Sequence, residues 1–175
     1  MAKIESIKRR QDGGGDMCER ARIKLAQIPG LLTSVADRLA LAASRYRAFS
    51  RELAFIEILA LENSGSAMNR ERRDAVRDER QAALGELKAA IAQTGDLCTD
   101  DTIGILGNLA DADGGQTDVP WKIGAIVIGE LSACVRVADA PVRDDDAADR
   151  ILAHLAIAGA RAREICSVIG IRPTE

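Results

Sequence analysis

A chain of 175 residues with a net charge of −3 is long enough to bury an apolar core without disulfide or metal staples. Hydrophobic residues make up 47% and charged residues 29%, which excludes a wholly disordered chain. Only 2% is aromatic (Tyr46, Phe49, Phe55 and Trp121), and the remaining apolar set of Ala, Leu, Ile and Val suits closely packed helices better than a β-sandwich.

Residues 1–15 are basic, lack the apolar core of a secretory signal and end in Asp12-Gly13-Gly14-Gly15, so they read as a flexible arm. A short helix is expected over about 16–27, stopped by Pro29-Gly30. The strongest pattern follows. Val35, Leu39, Ala42, Tyr46, Phe49, Leu53, Ile56 and Ala60 alternate spacings of four and three, while Asp37, Arg38, Arg45, Arg51 and Glu52 lie off that seam. It predicts one helix over about 31–62, closed by Asn63-Ser64-Gly65-Ser66. The next helix, about 67–93, opens with a charged turn and shows its apolar face later, at Val76, Ala83, Leu87, Ala90 and Ile91. A four-residue loop makes these two an antiparallel hairpin over about 31–93.

An acidic, glycine-rich connection is expected over about 94–120, holding a short helix near 101–110. Residues 119–140 are ambiguous. The β-branched run at 123–128 suits a strand, but Leu131, Cys134, Val135 and Ala138 continue it as a helix buried on most sides. The last helix is clearer, with Ile151, Leu155, Ala158, Ala162, Ile165 and Ile169 in step, Asp144, Asp145 and Asp146 at its positive end, and Gly170 closing it. The expectation is an all-α antiparallel bundle of about four long helices plus one or two short ones, forming one domain over 16–172 with a second helix pair at about 120–170.

Catalytic groupings are absent from the pattern. His154 is the sole histidine, so a di-iron bundle built on two Glu-x-x-His pairs is excluded, and no Cys or His spacing suggests zinc. A calcium loop starting at Asp111 fails at Gly115, Gln116 and Lys122, where an oxygen ligand, glycine and glutamate are needed. No phosphate-binding glycine motif occurs. The reading is a chain without catalytic residues, cofactor or metal. The cysteines at 18, 98, 134 and 166 form no C-x-x-C pair, which with the missing signal suggests a reduced cytoplasmic protein. The run at 123–128 is too short to cross a bilayer.

Charge is polarised: residues 1–95 carry 17 Lys/Arg against 13 Asp/Glu, and residues 96–175 carry 7 against 14. The leading expectation is a non-enzymatic helical interaction module (an adaptor, assembly subunit or small regulator) with a protein partner or self-association. The alternative is an accessory subunit of a nucleoprotein complex. It would touch phosphate through Lys8, Arg9 and Arg10 of the arm and Arg70, Arg72, Arg73, Arg77 and Arg80 of the charged turn. Against it, Asp74 stands three and four residues from Arg77 and Arg70, so the turn can neutralise itself. A third reading is a bundle enclosing a small-ligand pocket, which needs no sequence signature.

Overall fold

The computed structural model describes the backbone of residues 2–62, 67–107, 109 and 119–174, and the side chains of 19–60, 70–107, 109 and 119–174. The chain is all-α, a helical bundle of α1 (Ala2–Glu62), α2 (Ala67–Thr94), α3 (Asp100–Gly107), α4 (Val119–Ala138) and α5 (Asp145–Val168), with one 3-10 turn at Gly95–Leu97. No strand occurs among the described residues. Residues 123–128 lie inside α4, which settles the strand-or-helix ambiguity. Calcium-like residues 111–118 and the 63–66 loop fall outside the described residues.

The expected break at Pro29-Gly30 is corrected: α1 runs through it, and through Gly13-Gly14-Gly15, as one helix of 61 residues. Extending a helix needs no new nucleus, so a glycine costing about 1 kcal/mol against alanine slows propagation without ending it. Proline is the harder obstacle, because it has no N–H to give the carbonyl four residues earlier. That carbonyl belongs to Leu25, and the buried Cys166 thiol donates to it instead, at 3.7 Å. The next carbonyl, of Ala26, accepts from both the backbone N–H (2.8 Å) and Oγ1 (3.0 Å) of Thr174. Leu25, Ala26, Ile28 and Leu32 are buried beside Pro29, so packing holds both sides of the break.

Contacts divide the chain into two compact units, each assembled from separate stretches of the long helices. The first comprises residues 1–33, 98–132 and 155–175. There α5 runs antiparallel to α1: Arg163 donates to Thr33 Oγ1 at 3.0 Å, while Cys166 reaches back to Leu25. Thr99 caps α3, accepting from Thr102 N–H at 3.1 Å. Gly124 of α4 lies so close to the end of α3 that a Cβ there would stand 2.8 Å from the Leu106 carbonyl oxygen and 2.9 Å from Leu109 Cδ1. Only glycine allows this approach. Ala158 and Ala162 of α5 are fully buried, the small side chains that let helices pack closely.

The second unit comprises residues 34–97 and 133–154. The seam read from the sequence is in place: Leu39, Ala42, Leu53 and Ile56 are buried, and Val35, Tyr46, Phe49 and Ala60 are half-buried. Leu53 and Ile56 cluster with Val76 of α2, whose stripe continues through Ala83, Leu87 and Ile91 to the buried Thr94. The partners Glu52–Arg72, Tyr46–Arg80 and Arg45–Glu86 step down α1 as they step up α2, so the hairpin is antiparallel as expected. Asp144 caps α5, accepting from Ala147 N–H at 2.9 Å. Arg47 then bridges to Asp149 at 2.7 Å and Asp145 at 3.3 Å. These partners, Asp149 first, raise the guanidinium's pKa above its ordinary value.

Candidate functional site

Two kinds of surface are candidates: the arginine-rich first turns of α2, and helix faces that leave large apolar side chains in solvent. The arginines come first. Along a helix, residues seven apart share a face, so Arg73 and Arg80 lie together, as do Arg70 and Arg77. Arg73 and Arg80 are half-buried, and Arg70, Arg72 and Arg77 are exposed.

Most of their guanidinium groups are engaged within the unit. Arg80 donates to Tyr46 Oη at 2.8 Å and Ser50 Oγ at 3.0 Å, and its guanidinium lies 5.1 Å from the centre of the Tyr46 ring. This is a cation–π contact joined to two hydrogen bonds. Arg72 meets Glu52 at 3.0 Å, and Arg77 meets Asp74 at 3.4 Å, the latter being the three-residue pair visible in the sequence. Arg73 Nε is 3.6 Å from Asp74 Oδ1, an ion pair too long to be a hydrogen bond. The side chains of Lys8, Arg9 and Arg10 lie outside the described residues.

The apolar faces were only partly foreseen. The expectation that α4 is buried on most sides is corrected, because its buried residues form one stripe: Pro120, Ile123, Gly124, Val127, Leu131, Cys134 and Ala138. Steps of three and four keep that stripe narrow. Opposite it, Trp121 is 48% exposed, Ala125 and Gly129 follow it along one edge, and Val119 and Ile126 (42% exposed) form the other edge, with Lys122 between. On α1, Phe55 and Ile58 are 60% and 56% exposed and stand three residues apart, off the seam. Their spacing carried a signal, since two large apolar residues off a clear seam belong to a second face.

Other chemistry is sparse. His154 is half-buried on α5. Cys98 is half-buried, Cys134 and Cys166 are fully buried, and none of these three is in a disulfide. Burial pushes the Cys166 thiol pKa up, because a thiolate there would lose its hydration. Among the described residues, no three His, Cys, Asp or Glu side chains gather as a metal site requires, and no helix is long and apolar enough to cross a membrane. No protein-family model, curated protein or solved structure matches the chain.

Proposed function

We propose that this chain is a non-enzymatic helical interaction module, an adaptor, assembly subunit or small regulator that binds a protein partner or a second copy of itself. The observation that carries the reading is the outer face of α4, where Val119, Trp121 and Ile126 stand in solvent beside Ala125 and Gly129. Covering the exposed half of a tryptophan removes roughly 100 Å² from water, worth about 2–3 kcal/mol. Tryptophan is also the residue type most often found as an anchor in protein interfaces. Small neighbours at 125 and 129 leave room for another backbone to approach.

The test is sedimentation over a range of concentrations, together with recovery of bound protein from the host, using the wild-type chain and Trp121→Glu with Ile126→Glu. Assembly or capture by the wild type, lost in the variant at unchanged helicity, is the expected result. A wild-type chain that stays monomeric and recovers no protein overturns the reading.

The nucleoprotein alternative rests on the exposed Arg70 and Arg77, which share a face of α2, with Arg72 exposed on another. It stands second because Glu52 and Asp74 already face Arg72 and Arg77, and a phosphate must compete with them. Retention on duplex DNA or RNA at low salt, lost when Arg72, Arg73 and Arg77 become alanine, would raise it to first place. Free passage at low salt removes it.

A further inference from the structure

The break at Pro29 joins three features that no helical pattern requires. Pro29 is followed by Gly30, so this turn of α1 lacks one helical N–H and carries the added backbone freedom of glycine. Downstream, Thr33 Oγ1 donates to the Pro29 carbonyl at 3.0 Å and is itself held by Arg163, so that side is tied to α5. Upstream, the Leu25 and Ala26 carbonyls are met by Cys166 and Thr174.

The path to Thr174 is built with care. Gly170 takes φ +67° just past α5. Ile171 N–H donates to the Cys166 carbonyl at 2.7 Å and Gly170 N–H to Ser167 at 3.2 Å, the paired bonds of a Schellman turn. That turn reverses the chain and delivers Thr174 to α1. Cys166 therefore serves twice: its carbonyl closes the turn and its thiol fills the place of the missing proline N–H.

We propose that Pro29-Gly30 is a hinge and residues 170–174 its latch, so that the stretch of α1 before Pro29 swings away from the end of α5 as a unit when Thr174 lets go. The closed state is the one described above. Opening uncovers Leu25, Ala26 and Ile28, and with them the Cys166 thiol, whose accessibility reports the latch.

The experiment is iodoacetamide labelling of the full chain under native conditions, with the rate at each cysteine read by peptide mass spectrometry. Cys134 is the internal control, since it is buried in the other unit and donates there to the Ile151 carbonyl. Thr174→Pro removes both donors to Ala26 and is expected to speed labelling of Cys166 about tenfold while leaving Cys134 unchanged. Thr174→Val keeps the N–H and is expected to have a smaller effect in the same direction. Pro29→Ala returns an N–H to the Leu25 carbonyl and stiffens the turn, so it should blunt the effect of Thr174→Pro. Equal acceleration at Cys166 and Cys134 would mean global unfolding and overturn the proposal. So would an unchanged Cys166 rate in Thr174→Pro, or an effect of the same size in the Pro29→Ala background.

Discussion

The turn around Pro29 and the α1–α2 hairpin both need polar contacts, but they place them differently. At Pro29 the donors serve backbone carbonyls of the buried residues Leu25 and Ala26. In the hairpin, Arg72–Glu52 and Arg45–Glu86 join side chains that remain largely in solvent, beside an apolar seam of Leu53, Ile56 and Val76. A buried carbonyl left without a donor costs about 1–3 kcal/mol, whereas an exposed ion pair contributes about 0–1 kcal/mol. The first unit therefore depends on exact placement of a few atoms. The second depends on apolar area and tolerates the loss of any one charge. Substitutions can break that contrast.

The largest effect is expected at Gly124. Adding a methyl group drives it against the Leu106 carbonyl oxygen and Leu109, and a backbone oxygen cannot rotate away as a side-chain tip does. Gly124→Ala should destabilise by about 1–3 kcal/mol in urea denaturation, despite alanine's higher helix propensity. Gly85 on α2 has nothing within 4 Å of such a methyl group. Gly85→Ala should stabilise by about 0.4–1 kcal/mol, since only the propensity gain remains. Equal responses at the two glycines would mean that the approach of α4 to α3 is not a constraint.

The next effect is a pH dependence carried by Cys166. Burial raises its folded-state pKa above the unfolded thiol value of about 8.5. Below that value both states hold the proton and stability is unaffected. As pH rises through it, the unfolded chain releases a proton that the folded chain keeps, so stability falls and levels off only beyond the folded pKa. The slope reaches at most about 1.4 kcal/mol per pH unit. Comparing melts at pH 7 and pH 10, Cys166→Ser should lose this component, because serine keeps an O–H donor for the Leu25 carbonyl without titrating in the range. An identical alkaline loss in the variant would assign the slope to other groups.

These two regions also differ in how far the sequence disclosed them. The seam from Val35 to Ala60 repeats within a few residues, and the stripe at Ile151, Leu155, Ala158, Ala162 and Ile165 does the same, so local spacing revealed both. The continuity of α1 through Pro29 was hidden, because the donors that replace its N–H lie 141 and 148 residues from the Leu25 and Ala26 carbonyls they serve. No window along the chain contains both the proline and its substitute donors. The outer face of α4 was obscured for another reason. Nearly every residue from Val119 to Val127 except Lys122 is apolar or small, so composition alone cannot separate the buried stripe from Trp121 and Ile126. Among the arginines, the Asp74–Arg77 pair was legible as a helical spacing. Arg80 on Tyr46 and Ser50 needed the hairpin to form first.

The smallest effect is expected at Arg72, which tests the contrast from the hairpin's side. Its side chain is 68% exposed and that of Glu52 38%, so water and salt compete for the pair. Arg72→Ala also trades one good helix former for a slightly better one. The two terms oppose each other, and the unfolding free energy in urea should change by less than about 0.5 kcal/mol in either direction. Added salt should narrow any remaining difference, because screening weakens the pair only in the wild type. A loss above about 1.5 kcal/mol that survives high salt would show the charges to be structural, and the hairpin would then resemble the turn at Pro29. Near-neutrality leaves Arg72 free to be judged by what it binds, since a variant that folds as well as the wild type reports on partners alone.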